Sequence, residues 1–344
     1  MPKIFISYDN VLDDVLGSVA DLLVDRGYEV IRGAVQPLPT QIISKQERWK
    51  DFFHNTDILL ISSRVTLDRE LLLSFKQLQG VVFPTIGINS CDIEAATELG
   101  IIVANGATPE NAESLAEATV MLMSSLFLEL PWKLNLLQKN TPRPSSNQFS
   151  SRMLAGKKVG FFGFGRIAQE TVKRLSGWNV EILSFTRTPK PKEWPNVKFV
   201  PLKKLFCESD IISINVPLTP NTKNSVDWNL LSSMKPGSFL VNTARGGIVN
   251  EDALYRALQS NILAGAAIDV FEEEPLRLNH PLRRLDNVIL TQHMIGHTRE
   301  LFDSLIPTAV ENVVSILERK FPKYICNPNV IPKWAATYSS NISK

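Results

Sequence analysis

Cysteine is scarce in this chain. Its 344 residues hold three, Cys91, Cys207 and Cys326, odd in number and widely spaced, which argues against a disulfide framework and for a reducing compartment. There is no CxxC pair and no histidine cluster, so nothing points to a metal. Charge of one sign is missing too: 37 Lys and Arg face 35 Asp and Glu. Without a basic block or interleaved basic and aromatic residues, nucleic acid is not an expected partner. The N-terminus MPKIFISYDN has neither the basic start nor the long apolar stretch of a signal peptide. The most apolar helical stretch, ESLAEATVMLMSSLFLEL, carries Glu113, Glu117 and Glu129 and reads as a buried core helix, not a membrane span. No repeat of solenoid length and no low-complexity tract occurs. What these absences leave is a cytoplasmic globular protein, 44% apolar and, at roughly 150 residues per domain, long enough for two domains.

Apolar runs alternate with amphipathic ones along nearly the whole sequence, the pattern of parallel sheets joined by crossover helices. Strands are expected at 4–8, 57–63, 80–84 and 100–105, with helices at 11–26 and 111–130. The Pro- and Ser-rich stretch 138–158 reads as an exposed connection. A second series follows: KVGFFG, VEILSFT, KFVPL, DIISINVP, GSFLVNTA, AGAAIDVF and NVILTQH, with helices clearest at 165–176, 250–260 and 299–318. The tail after Pro322 is expected to be irregular.

The stretch VGFFGFGRIA runs a strand straight into Gly163-Phe164-Gly165-Arg166-Ile167-Ala168 and then a helix pattern. This is G-x-G-x-x-G/A in the strand–turn–helix context it needs. Gly163 permits a tight turn, Gly165 lets backbone approach a pyrophosphate, and Ala168 allows the helix to pack close. The free N–H groups of the helix start would hold the phosphates, and Arg166 adds a charge there. A dinucleotide site follows. The next strand ends in Thr186-Arg187-Thr188-Pro189-Lys190 with no acid. An acid at this place would bind the ribose hydroxyls of NAD, whereas Arg accommodates a 2′-phosphate. Hydroxyls and cations suit a phosphomonoester, so NADP(H) is favoured and NAD(H) remains possible. Arg187 and Lys190 could also simply solvate a turn.

Three later strand ends run into VNTARGGIVNEDAL, FEEEPL and HMIGHT. In an open α/β sheet the ligand crevice lies at such carboxyl ends, so Arg245, Glu274 and His293 can converge. Together with GIIVANGATPENAESLAEAT, the glycine turn, NVPLTPNT and DVFEEEP, in this order and spacing, the chain resembles the D-isomer-specific 2-hydroxyacid dehydrogenases, the family of glyoxylate/hydroxypyruvate reductases and phosphoglycerate dehydrogenases. The resemblance implies that Arg245 binds substrate, Glu274 orients and His293 is the acid/base. It implies Asp269 near the nicotinamide carboxamide, with Val216, Pro217, Thr222, Thr243 and Ala244 along the cofactor. The loop FPTIGINSCD is similar to the one that meets the substrate carboxylate with backbone N–H groups, here Thr85, Ile86 and Gly87. The chemistry is coherent: a guanidinium forks onto a carboxylate, and an imidazole, which changes charge in the neutral range, protonates the carbonyl oxygen.

The chain departs from the family pattern at Gln292, where Pro usually precedes the histidine, at His297, where a small residue is usual, and at Thr85, often Gly. His297 either brings a second imidazole toward the site or caps the next helix. His54 and His280 read as structural. The expected fold is α/β, two Rossmann-like or flavodoxin-like domains with parallel sheets: a discontinuous substrate domain, 1–104 plus 297–344, and a dinucleotide domain, 105–296, with the active site in the interdomain cleft. The expected activity is reduction of a small 2-keto acid such as glyoxylate or hydroxypyruvate to the D-2-hydroxy acid. The resemblance also implies a homodimer through the cofactor domains. Two alternatives stand beside this: the same chemistry with NADH, and a nucleotide-sensing, corepressor-like binding protein of the same fold.

Overall fold

The computed structural model describes residues 1–33 and 54–338. The chain divides into two compact units, one of Met1–Asn111 with Thr298–Lys344 and one of Ala112–His297.

The first unit is built on five parallel strands in the order β2-β1-β3-β4-β5, namely β1 Lys3–Ile6, β2 Glu29–Arg32, β3 Ile58–Leu60, β4 Gly80–Val82 and β5 Ile102–Ala104. A buried parallel strand is apolar on both faces, and alternate residues here feed two cores. Ile4, Ile6, Ile58 and Leu60 meet the helices Asp13–Asp25 and Arg299–Leu317 on one face. Phe5, Leu59, Val81 and Val103 pack on the other, with Ala95 and Ala96 of the helix Ile93–Leu99. The tail after Pro322, expected to be irregular, is ordered as far as the described residues run, to Tyr338. Cys326 N–H donates to Val103 O at 2.7 Å and Val103 N–H to Asn327 Oδ1 at 2.8 Å. This covers the bare edge of β5, which would otherwise leave unpaired backbone groups. The helix Ile331–Tyr338 follows, anchored by Trp334 at 1% exposure. Val330, Trp334 and Tyr338 make the contact, and the strand residues whose core they join lie far away in sequence, which hid it from sequence reading.

The second unit holds seven parallel strands in the order β12-β11-β10-β9-β6-β7-β8: β6 Lys158–Phe162, β7 Glu181–Phe185, β8 Val197–Phe199, β9 Ile211–Ile214, β10 Ser238–Asn242, β11 Leu263–Ile268 and β12 Val288–Leu290. The order reverses between β6 and β9, so the segments after those strands flank the place where open α/β sheets take ligands. The helix expected at 111–130 runs Pro109–Phe127 and then stops. Glu129 turns left-handed (φ 53°), and Pro131 opens a separate helix, Leu130–Gln138. No single helix among the described residues is long and apolar enough to cross a membrane.

Candidate active site

The glycine turn in the second unit divides its labour. Gly163 has φ +99°, and a Cβ there would sit 2.5 Å from Asn215 O and 2.8 Å from Val216 Cγ1. Its N–H donates to Phe185 O at 2.8 Å, so only glycine passes between the ends of β7 and β9. Gly165 is different: it is exposed, has ordinary φ, and a Cβ would meet nothing within 4 Å. It caps the helix Arg166–Arg174 without a side-chain hydrogen bond, which leaves the first-turn N–H groups and the positive dipole end to an outside anion. Ala168 is fully buried against the strand, Ile167 is half-buried and Arg166 is exposed. An open backbone approach at a helix start fits a pyrophosphate.

At the end of β7, Thr186 is half-buried and Arg187 exposed. Lys190 is taken by Glu193 at 3.1 Å, whereas Arg187 forms no hydrogen bond or ion pair among the described residues. Of the two cations, Arg187 is the one left for a phosphate.

After β9, Thr222 Oγ1 donates to Pro217 O at 2.6 Å and accepts from Thr219 N–H at 2.8 Å, which closes the loop beyond Val216 and Pro217. Asn215 Oδ1 and Thr243 Oγ1, at the ends of β9 and β10, are buried without a hydrogen-bond partner among the described residues. Such orphaned groups are costly unless a ligand completes them. A nicotinamide cofactor lying across these strand ends therefore fits the residues present.

Arg245 follows β10 in a turn organised by Asn242, a residue that sequence reading overlooked. Asn242 Nδ2 donates to Arg245 O at 3.0 Å and its Oδ1 accepts from Ala244 N–H at 3.1 Å. Arg245 Nη1 donates to Ala244 O at 2.7 Å. Burial holds this guanidinium below its ordinary pKa, and the nearby Glu274 charge opposes that shift. Gly246, next in sequence, presses on the segment leading to Glu274: a Cβ there would lie 1.8 Å from Phe271 C. Close packing of two backbones thus ties the arginine's segment to the glutamate's. The signal, the second and third residues after TA in TARGG, was visible as glycine but not its reason.

Glu274 Oε1 accepts from Phe271 N–H at 3.0 Å and Oε2 lies 2.8 Å from His293 Nδ1. Burial raises the pKa of this carboxyl, but the His293 hydrogen bond, the Phe271 amide and the charges of His293 and Arg245 more than offset it, and the group sits below the usual glutamate value. Because the carboxylate accepts, Nδ1 carries the proton of this bond, and Nε2 is the ring nitrogen that Glu274 does not engage.

His293 has a left-handed backbone (φ 54°), uncommon outside glycine and Asn-like residues. Asp269, 2% exposed, imposes it. The Asp269 carbonyl accepts from His293 N–H at 2.7 Å, and Oδ1 accepts from Thr291 Oγ1 at 2.6 Å, Met294 N–H at 3.0 Å and Ile295 N–H at 3.2 Å. Gln292, in place of Pro, is exposed in this turn. His297 does not cap the following helix; Thr298 does, accepting from Leu301 N–H at 3.2 Å. His54 bonds Ser74 O at 3.1 Å and His280 pairs with Glu251 at 3.1 Å. No group of three or more metal-ligating side chains occurs among the described residues.

In the first unit, Thr85, Ile86 and Gly87 follow β4 and are half-buried. The loop is fixed through its carbonyls: Ile86 O accepts from Asn105 Nδ2 at 2.9 Å and Thr85 O from Gly106 N–H at 3.2 Å. Their own N–H groups find no acceptor among the described residues, the arrangement an anion site requires. Thr85 does not have positive φ, so a side chain is carried there without strain.

Residues 120–294 match the family described as D-isomer specific 2-hydroxyacid dehydrogenase, NAD binding domain. The glyoxylate reductase of Thermofilum pendens is 34% identical over 281 residues, covering 80% of this chain and 82% of that protein. That of Pyrococcus horikoshii is 31% identical over 345 residues, 96% of this chain and 97% of its own. Among solved structures, the NAD-dependent formate dehydrogenase from Staphylococcus aureus in complex with NAD superposes with a TM-score of 0.79 at 28% identity, over 92% of this chain and 96% of that one.

Proposed function

The chain belongs to the D-isomer specific 2-hydroxyacid dehydrogenases, and from that premise we propose that it reduces a small 2-keto acid, of the glyoxylate or hydroxypyruvate kind, to the D-2-hydroxy acid with NADPH. The observation that carries the reading is the 2.8 Å contact of His293 with Glu274, made in the unit that also holds Arg245 and the open glycine turn.

The reaction adds a hydride at C2 and a proton at the keto oxygen. When bound, the nicotinamide supplies the hydride. Arg245 offers a planar fork to the carboxylate, and its charge polarises the adjacent carbonyl. Thr85, Ile86 and Gly87 have N–H groups suited to the same carboxylate. His293 delivers the proton from Nε2 while Glu274 keeps the ring oriented. Asp269, Thr243 and Ala244 line the nicotinamide side, and Val216, Pro217 and Thr222 the path between it and the phosphates. The unpaired Arg187, with Thr186, receives the 2′-phosphate and sets the preference for NADPH over NADH.

The protein is proposed to work as a homodimer in a reducing, cytoplasmic compartment, where its three free cysteines persist. Met121, Leu128, Leu130, Leu134 and Leu137 lie 45–80% exposed along the bent helix pair, an apolar run that a second copy would cover. Leu134→Asp is expected to yield a monomer by light scattering.

A panel of 2-keto acids assayed with both nucleotides tests the function. The highest kcat/KM is expected for glyoxylate or hydroxypyruvate with NADPH. Tight nucleotide binding without turnover of any keto acid would instead mark a nucleotide sensor.

A further inference from the structure

The orienting acid sits in a loop that has little to hold it. Residues 272–280, EEEPLRLNH, are exposed apart from the half-buried Leu276 and His280, and Leu278 is 91% exposed. Glu251 reaches both ends of this loop. Its Oε1 accepts from Glu272 N–H at 2.8 Å and its Oε2 lies 3.1 Å from His280 Nε2. His280 Nδ1 accepts from Leu282 N–H at 3.3 Å, so the ring proton is on Nε2 and points the bond at the carboxylate. Glu251 is not needed as a helix cap: Asn250 does that for the helix Glu251–Gln259, accepting from Ala253 N–H at 2.8 Å. An acid in a first turn interacts favourably with the helix dipole, but that would not direct two bonds onto another segment.

The grip continues inward. Glu272 follows Phe271, whose N–H fixes Glu274 Oε1, and Gly246 abuts the same pair, with a Cβ position only 2.4 Å from Glu272 N. Residues 245–251 therefore seize 271–272 twice, once by the glycine and once by the carboxylate. Other charged groups around the loop are Arg277, paired with Glu273, and Arg283, bonded to the Leu276 and Arg277 carbonyls.

We propose that Glu251 is a positioning residue for the reaction: by fastening Glu272 and His280 with one carboxylate, it closes the 272–280 loop and holds Glu274 against His293. This rests on the functional reading of Glu274 and His293 given above.

The test is a double-mutant cycle of Glu251→Ala and Glu274→Gln. It is read by kcat and KM with glyoxylate and NADPH, and by the NMR signal of the His293 Nδ1 proton, resolved among four histidines. Glu251→Ala is expected to lower kcat about tenfold or more, as loss of an outer partner does, with the nucleotide KM unchanged. It should also move and broaden the His293 Nδ1–H signal, since a loosened Glu274 holds that hydrogen bond less firmly. In the Glu274→Gln background the same change should add little. His280→Gln, which releases only the far end, should act in the same direction more weakly, and it serves if Glu251→Ala does not fold. Full additivity in the cycle overturns the proposal. So does a lower Tm with the His293 Nδ1–H signal unmoved, the result of a merely structural role. Because the NMR signal needs no substrate, a wild-type protein that reduces no keto acid would sink the functional reading separately.

Discussion

His293 Nδ1 and Glu274 Oε2 stand 2.8 Å apart, and the glutamate's other oxygen is held by the Phe271 amide at 3.0 Å. The ring is thus oriented by a carboxylate that is itself fixed by backbone. His293→Ala is expected to cut kcat by roughly 10²–10⁴, the range for a lost acid/base, with NADPH binding near wild type by fluorescence titration. Glu274→Gln should cost about 10–100-fold. Undiminished turnover in His293→Ala would remove the acid/base assignment.

The same pair fixes the sense of the pH dependence. Glu274 is held below its ordinary value, so it stays charged, and keeps orienting the ring, throughout the neutral range. Reduction consumes a proton, delivered through the imidazole, so kcat/KM for the keto acid should fall as pH rises. Oxidation of the hydroxy acid needs the neutral ring and should rise over the same interval. Profiles measured in both directions check this; a reduction rate that climbs steadily into the alkaline range contradicts it.

The glycine turn was legible in the sequence because close backbone approach leaves no substitute for glycine, and the strand–turn–helix context around Gly163 and Gly165 is local. Arg245, Glu274 and His293 were legible only as members of an ordered set, since each alone is an ordinary loop residue. What stayed hidden was made by contacts distant in sequence. Asn242 and Glu251 look like strand-end and helix-start residues until the segments they hold are seen. The tail helix rests on Trp334 and Tyr338, which join a core shared with strands more than 200 residues earlier. The break at Glu129 was missed because the apolar pattern runs on through it, while Pro131, a good first-turn residue, starts a new helix there.

The two glycines of the turn should respond differently to alanine. At Gly163 a Cβ would lie 2.5 Å from Asn215 O, at φ +99°, so Gly163→Ala should lower Tm and nucleotide affinity together. Gly165 meets nothing within 4 Å, so Gly165→Ala should melt within about 1–2 °C of wild type, as surface changes do. Its Kd for NADPH should nonetheless rise about tenfold or more, since the side chain occupies the space the pyrophosphate needs. Calorimetry with and without nucleotide separates the two; unchanged affinity in Gly165→Ala would place the phosphates elsewhere.

Arg187 forms no ion pair or hydrogen bond among the described residues, so replacing it strips nothing from the fold. A lost charge-assisted bond to phosphate is worth about 1.5–3 kcal/mol, or roughly 10–150-fold. Arg187→Ala should therefore raise KM for NADPH by that factor with KM for NADH nearly unchanged and Tm intact. Equal effects on both nucleotides would show that the 2′-phosphate is not bound here.

Asp9 carries an acid-stability effect outside the candidate site. Its side chain has no exposed surface, pairs with Arg64, and accepts from Val11 and Leu12 N–H at 2.9 and 3.0 Å just before the helix Asp13–Asp25. Burial pushes its pKa up, but the Ser62 hydrogen bond, the Val11 amide and the Arg64 charge prevail and hold it below the ordinary aspartate value. The folded chain therefore binds this proton less readily than the unfolded chain does. The stabilisation is complete above the ordinary value of about 3.9 and is lost as pH falls through it toward the depressed one. Asp9→Ala orphans two amides and should cost about 2 kcal/mol at neutral pH, seen as a Tm lower by roughly 4–8 °C. Between about pH 5 and pH 3 the wild type should lose stability faster than Asp9→Ala, so that the gap between them narrows. A gap that stays constant over that interval would mean Asp9 titrates alike in both states, and its bonds to Val11, Leu12 and Arg64 would then have no part in acid unfolding.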